Sequence, residues 1–447
     1  MLSQINLMMN FCQSSHHKMV AFIMIIVHSS WQMDLATFID SARIWLEEHA
    51  APLTASDHTA EWGVGDDDVE VFHDLTDDDE RMLLCRAMAW QRDKYDAGYG
   101  ALTWPVELGG AGLGEEFGIA FESLEAGYVH PPHHETFSVT LNLVAPTIAR
   151  FGQHELRTGL LPRLLRTEVL SCQLFSEPGA GSDLGALTTR ADRDGDSWVI
   201  NGQKTWSSGA RFAEWGELIA RTDFDVPKHQ GLTGFMLSMD APGVTVRPIR
   251  QMSGGASFNE VFFTDVRIPD SHRLGKVGEG WMVALTTLGF ERGSSGSGRG
   301  ASTVGGSFER LLGVARWLDR TDDPVVRQRL IDVYAHERLR EFVAARSLAS
   351  AADGGPPGPA GSIGKLLWTK SMTRIGDLAA ELLGPRITAD TGEWGTYVWA
   401  KQVLGAPGYR IAGGSDEIQR EIIGNRVLGL PPEPRSDKHA ASRDVRR

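Results

Sequence analysis

The 447-residue chain has three cysteines, Cys12, Cys85 and Cys172, and no CxxC pair. This excludes a disulfide framework and fits a reducing, cytoplasmic setting. Excess positive charge is missing too. The formal net charge of −14 removes the basic surface that non-specific nucleic-acid binding requires. The apolar run Met19–Val27 in "HHKMVAFIMIIVHSS" has nine residues, too few to span a bilayer. It resembles a signal-peptide core, but no small-residue cleavage site follows. Residues 1–32 are therefore expected to be an extension upstream of a start near Met33. Several catalytic signatures are also absent. "GSSGSG" misplaces the serine of a nucleophile elbow, "PPHHE" is an adjacent cluster without ligand spacing, and no HExxH or Walker A loop occurs. Serine hydrolase, metal hydrolase and nucleotide kinase chemistry are thereby disfavoured, and no metal is expected.

What is present has the ordinary composition of a soluble protein, with 42% hydrophobic and 23% charged residues. The length calls for two or three domains. Fifty glycines show no fixed period, which excludes collagen-like and repeat folds. From residue 33 to 168 the periodicity is helical. Leu35, Phe38, Ile39, Ala42, Trp45 and Leu46 form a stripe behind an Asp34 cap. Residues 169–275 alternate in short runs, with Asp194-Gly195 and Asn201-Gly202 as hairpin signals. An antiparallel β-domain of roughly a hundred residues is expected there. Residues 276–430 return to helical spacing. Asp323-Pro324 marks a helix start, and Ile331, Tyr334, Ala335, Leu339, Phe342 and Val343 line one face beyond it. Residues 431–447 read as a disordered tail.

Two stretches are dense enough to carry chemistry. "FSEPGAGSDLG", Phe175–Gly185, has glycines spaced one residue too far for the dinucleotide fingerprint. It fits either a loop offering N–H groups and Ser182 to a cofactor, or a tight turn into the β-domain. "TWSSG", Thr205–Gly209, sets a large ring beside two hydroxyls at a strand end. That suits a flat heteroaromatic ligand, and it equally suits a core tryptophan.

Together "SEPGAGSDLG", "VINGQKTWSSGA" and "GGSDEIQREIIGNRVLGLP" resemble the acyl-CoA dehydrogenase family, in order, from about residue 35 to about residue 430. "LTWPVELGGAGL" is similar to the family's N-terminal domain, and the likeness is greatest to the actinobacterial FadE-type members. The resemblance implies an α+β fold of N-terminal helices, central antiparallel β-barrel and C-terminal four-helix bundle, assembled into dimers or tetramers. It implies FAD, an acyl-CoA substrate, and electron-transfer flavoprotein or a similar acceptor. A carboxylate takes the α-proton while the β-hydrogen leaves as hydride to flavin N5, with hydrogen-bond donors holding the thioester oxygen. On this resemblance Phe175, Ser176 and Ser182 approach the flavin, and Ser182 also faces the pantetheine. Trp206, Ser207 and Ser208 cover the isoalloxazine, and Ser415 and Glu417 border the cofactor.

One common position of the catalytic glutamate falls at Gly413 and is empty. A second position, on the first helix after the β-domain, falls at Glu291, followed by Arg292 as a residue of the acyl-CoA site. A helix glutamate is otherwise unremarkable. The Gly/Ser stretch that follows, "GSSGSGRGAS", suits either room for a wide acyl group or close helix packing. One departure concerns the family's arginine and phenylalanine that contact a neighbouring subunit's FAD: Arg316 matches the first, but Asp319 stands in place of the second. Three functions fit: a dehydrogenase with Glu291 as base, a non-catalytic or half-site partner subunit of a heteromeric acyl-CoA dehydrogenase, and a flavin monooxygenase of the same fold. A proton-abstracting carboxylate argues against the last.

Overall fold

The computed structural model describes residues 34–53, 62–63, 67–132, 134–296, 305–350, 359–434 and 440–444. The Met19–Val27 run and most of the Gly/Ser stretch after Glu291 lie outside them. Two compact units form, one from residues up to 53 with 89–130, the other from 54–88 with 131–447.

In the first unit, helix α1 (Leu35–His49) starts at Asp34, whose carboxylate accepts from the backbone N–H groups of Ala36 and Thr37. Helix α2 (Asp77–Asp96) contributes residues to both units. Helix α3 (Glu115–Glu125) closes a core of Phe38, Ala42, Leu46, Leu102, Phe117 and Phe121. Phe38 and Phe117 meet edge to face at 5.1 Å between ring centroids, a favoured aromatic geometry.

In the second unit, helix α4 spans residues 135–151 and includes a π-type stretch over Ser138–Val144. Helix α5 spans residues 156–165. An eight-stranded sheet follows: β1 (Ser171–Leu174), β2 (Arg190–Asp194), β3 (Ser197–Ser208), β4 (Trp215–Arg221), β5 (Leu232–Ser238), β6 (Val244–Ile249), β7 (Phe258–Pro269) and β8 (Arg273–Leu274), in the order β6-β7-β3-β2-β4-β5-β8 with β1 beside β4. Asp194-Gly195 does turn β2 into β3. Asn201-Gly202 does not make a hairpin. It lies within β3 at a register shift, Gly202 takes φ +151°, and the Asn201 side chain exchanges hydrogen bonds with Asp265. Glycine there makes a bulge that bends the strand. The sheet is also mixed rather than purely antiparallel, because β1 and β2 each pair parallel with β4. β1 reaches the sheet directly from the helices before it, so no hairpin constrains its direction.

Helices α6 (Gly280–Gly296), α7 (Phe308–Trp317), α8 (Pro324–Ser350), α9 (Gly361–Leu383), α10 (Trp399–Ile411) and α11 (Asp416–Ile422) complete the chain. Central α9 packs against α6, α8 and α10. Asp323 Oδ1 caps α8 through Val325 and Val326, with Pro324 in the first turn. Val326, Leu330 and Val333 of α8 face the bundle core. The opposite stripe, Ile331, Tyr334, Leu339 and Phe342, is exposed. Part of the tail expected to be disordered is ordered: Ala441 bridges to Pro227, and Ser442 N–H donates to Val226 O at 2.9 Å.

The described helices include none long and apolar enough to cross a membrane, and no metal-binding cluster occurs among the described residues.

Candidate active site

The loop after β1 is clamped onto β3 from beneath. Fully buried Lys204 donates to Phe175 O and to Glu177 Oε1, both at 2.9 Å. Glu177 also accepts from the N–H groups of Thr188 and Thr189 and from the Thr188 hydroxyl. Burial alone raises the Glu177 carboxyl, but the Lys204 ammonium and these hydrogen bonds outweigh it and bring it to about 2. Buried Arg221 pins the far end of the loop through the carbonyls of Gly185 and Leu187. Phe175 is buried under this clamp, Ser176 O accepts from Thr205 N–H, and Ser182 is exposed on the loop.

Beyond Lys204, β3 is irregular. A register shift separates Lys204 from Ser207, and Trp206 takes φ +60° with 59% of its surface exposed. A bulky residue in the left-handed region is strained, and such strain concentrates at functional sites. The Trp206 ring meets Phe258 edge-on at 5.9 Å. Ser207 is 1% exposed, yet its Oγ has no hydrogen-bond partner. The same is true of Asn259 Oδ1, whose amide donates to Ser207 O, and of Thr136 Oγ1, against which a Cβ on Gly209 would press. Buried polar atoms are nearly always paired. Three orphans around an exposed, strained tryptophan therefore fit a bound ring system with polar edges, as a flavin has.

Glu291 lies on α6 and Gly413 follows α10. An ideal Cβ on Gly413 would collide with Glu291 Oε1 and lie 3.0 Å from its carboxyl carbon. Gly413, at φ +62°, is held by Gln419 Nε2, which donates to Gly413 O at 2.9 Å and Gly414 O at 3.0 Å, while buried Lys365 donates to Ala412 O and Gly414 O. Gly413 thus makes room for a carboxylate delivered from a different helix, whereas a side chain at Gly414 would meet Gln419 and Ile418.

Two residues that the sequence did not single out interact electrostatically with Glu291. Glu135, the first residue of α4, is half-buried, and the Ser208 hydroxyl is among the groups that favour its ionised form. Burial and then the Glu291 carboxylate raise it to about 7, against the pull of Ser208 and His73. Tyr409 stacks on Phe72 at 4.7 Å and contacts Trp368 at 4.6 Å. Its phenol is pushed well above its usual value by burial first, then by Glu135 and Glu291. Glu135 had a sequence signal only as the last letter of "PPHHE"; nothing local tied it to Glu291.

Two other expected site residues make local contacts. Ser415 Oγ caps α11 by accepting from Ile418 N–H at 3.4 Å. Exposed Glu417 pairs with Arg420 on its own helix at 3.1 Å. The side chain of Arg292 lies outside the described residues.

Three family models match successive stretches: the acyl-CoA dehydrogenase N-terminal domain over residues 34–168, the middle domain over 172–266 and the C-terminal domain over 278–428. The chain is 40% identical over 350 residues to acyl-CoA dehydrogenase IpdE1 of Mycobacterium tuberculosis, covering 77% of this chain and 88% of that one. It is 28% identical over 346 residues to cyclohexane-1-carbonyl-CoA dehydrogenase of Geobacter metallireducens, covering 75% and 87%. Among solved structures it is similar to the ChsE4-ChsE5 complex from Mycobacterium tuberculosis, with a TM-score of 0.65, 26% identity, and coverage of 90% of this chain and 99% of that one. Clamped loop, strained tryptophan and glycine-lined carboxylate thus sit on an acyl-CoA dehydrogenase fold, and the chain belongs to the acyl-CoA dehydrogenase family.

Proposed function

We propose that this chain is an FAD-dependent acyl-CoA dehydrogenase in which Glu291 removes the α-proton of an acyl-CoA thioester. The observation that carries this assignment is the fit of the Glu291 carboxylate into the space that any side chain at position 413 would need. Ser207, Asn259 and Thr136 would pair with the polar edges of the cofactor ring, with Trp206 beside it and the clamped loop of Phe175, Ser176 and Ser182 alongside. Ser415, Glu417 and, on the acyl-CoA side, Ser182 and Arg292 complete the assignment. When bound, FAD supplies the acceptor for the β-hydride, and electron-transfer flavoprotein or a similar carrier would reoxidise it. Glu291 is half-buried, and partial loss of hydration favours proton abstraction by a carboxylate.

The decisive experiment is an anaerobic visible spectrum of the purified chain, before and after linear, branched and ring-bearing acyl-CoAs. A flavin band that bleaches with one of them is expected. A protein that binds flavin but bleaches with none would refute the assignment. Gly413→Ala supplies a second check. Its methyl should displace the Glu291 carboxylate and cut turnover at least tenfold, while the φ +62° backbone costs roughly 1–2 kcal/mol of stability by urea denaturation.

A specific observation favours a half-site role in a heteromeric enzyme. Asp319 takes φ +54° at the end of α7, where its N–H donates to Arg316 O and that of Arg320 to Ala315 O. A left-handed helix terminus tolerates aspartate far better than phenylalanine, so this chain does not offer an aromatic ring there to a neighbour's cofactor. The exposed apolar stripe of α8 gives such a neighbour a surface. A colourless protein that gains flavin on co-expression with a homologous chain would support this version.

A further inference from the structure

We propose that Glu217 is a positioning residue for Glu291, acting as a neutral acid that anchors helix α6. Its proton starts a hydrogen-bond chain that runs through Thr287 and Thr147 to Leu143 O. The consequence for turnover rests on Glu291 being the base, whereas the chain itself does not.

Glu217 stands in β4 beside buried Leu218, Ile219 and Ala220, and it is itself fully buried. A carboxyl in such a run is costly unless something there receives it. Its Oε1 lies 2.6 Å from Thr287 Oγ1 on α6. Thr287 Oγ1 lies in turn 2.9 Å from Thr147 Oγ1 on α4 and 3.1 Å from Val283 O. Thr147 Oγ1 is 2.8 Å from Leu143 O. Both threonines are fully buried. The residues around Glu217 are uncharged: strand register sets Gln173 of β1 and Met236 of β5 beside it, and α6 and α4 bring Thr287 and Thr147. Burial raises its carboxyl to about 8, against the pull of Thr287.

Proton counting gives the chain its direction. The four contacts join one carboxyl, two hydroxyls and two backbone carbonyls. Each hydrogen bond needs one proton, each hydroxyl brings one and a carbonyl brings none. With Glu217 ionised, two protons serve four contacts, and the buried anion has a single hydrogen bond, because its Oε2 has no partner. With Glu217 protonated there are three protons, enough for the three shortest contacts. Glu217 then donates to Thr287 at 2.6 Å, Thr287 to Thr147 at 2.9 Å, and Thr147 to Leu143 O at 2.8 Å. A separation of 2.6 Å suits an acid O–H donor, and an unpaired Oε2 costs far less as a neutral carbonyl oxygen than as half of an anion. The chain joins β4, α6 and α4 at Thr287, one helical turn before Glu291 on the same face of α6. A shift of α6 at Thr287 therefore moves the carboxylate that fits the hollow at Gly413.

Infrared titration of the full chain without substrate tests the proton, using wild type, Glu217→Gln, Glu217→Leu and Thr287→Val. The difference between wild type and Glu217→Gln should hold one carboxylic-acid C=O band, lost with a midpoint near about 8. Thr287→Val should shift that band to higher frequency, because the acid O–H loses its acceptor. Amide hydrogen exchange tests the anchor: relative to α9, exchange along α6 should quicken in Glu217→Leu and slow again in Glu217→Gln, whose amide N–H replaces the acid O–H. In turnover, Glu217→Leu should lower kcat by roughly tenfold or more with KM little altered, the effect of a displaced reacting group, and Glu217→Gln should recover most of it. Urea stability of Glu217→Leu should be no lower than that of wild type, since Thr287 keeps Val283 O as an acceptor, so the lost kcat is not a loss of fold. Absence of the acid band, equal α6 exchange in the two Glu217 variants, or equal kcat of the two in an active enzyme would overturn the anchor alone. The expected band and exchange without turnover of any acyl-CoA would support the anchor and overturn the dehydrogenase assignment beneath it.

Discussion

Glu291→Gln is expected to lower kcat by about 10²–10⁴-fold, the range for loss of a positioned general base, with flavin content unchanged. Glutamine keeps the length and shape of the side chain beside Gly413 but cannot accept the α-proton. The loss should therefore fall on kcat, with KM little altered, because the interaction removed is made in the transition state. Steady-state kinetics and the anaerobic rate of flavin bleaching measure it. Unchanged turnover would remove Glu291 from the mechanism. A stricter version moves the base: Glu291→Gly combined with Gly413→Glu carries a carboxylate to the same hollow from the other side. Part of the activity should return, and not all of it, since glutamate at φ +62° is strained.

The second large effect concerns stability. Lys204 is fully buried, and Glu177 keeps only 6% of its side-chain surface. Breaking a buried pair by removing one partner costs about 3–5 kcal/mol, because the survivor is left charged in a poor solvent. Glu177→Ala should be the worse variant, since Lys204 then keeps only Phe175 O. In Lys204→Met the carboxylate still accepts from Thr188 and Thr189. Chemical denaturation of the full chain gives the ranking, and equal stabilities would contradict it. The pH dependence follows from the carboxyl's fall to about 2. A depressed acid contributes stability above its unfolded pKa, and that contribution is lost as pH falls through the folded value. Wild type should therefore lose this increment between about pH 4.5 and pH 2, and Glu177→Gln should show no such loss. Because the same pair holds Phe175 and Ser176 against β3, flavin affinity should fall with stability in both variants.

The sequence by itself determined what depends on neighbours along the chain. Helical spacing and the Asp34 and Asp323 caps located helices, and Asp194-Gly195 located a hairpin, because caps and tight turns are satisfied within a few residues. The helix–sheet–helix order and the family followed from motifs whose glycines and hydroxyls stand in continuous stretches. Asn201-Gly202 carried the same local signal as a hairpin and became a bulge, since β7 pairs along both sides of it. The helical stripe of α8 was legible as a stripe, but not its exposure, because spacing states that residues share a face without stating what covers it. Only the tertiary structure decided that Glu291 meets the hollow of Gly413 and that Lys204 pairs with Glu177. These groups lie far apart in sequence and are joined by helix and strand packing alone. Their chemistry comes from shared burial and mutual charge, which no single stretch of sequence contains.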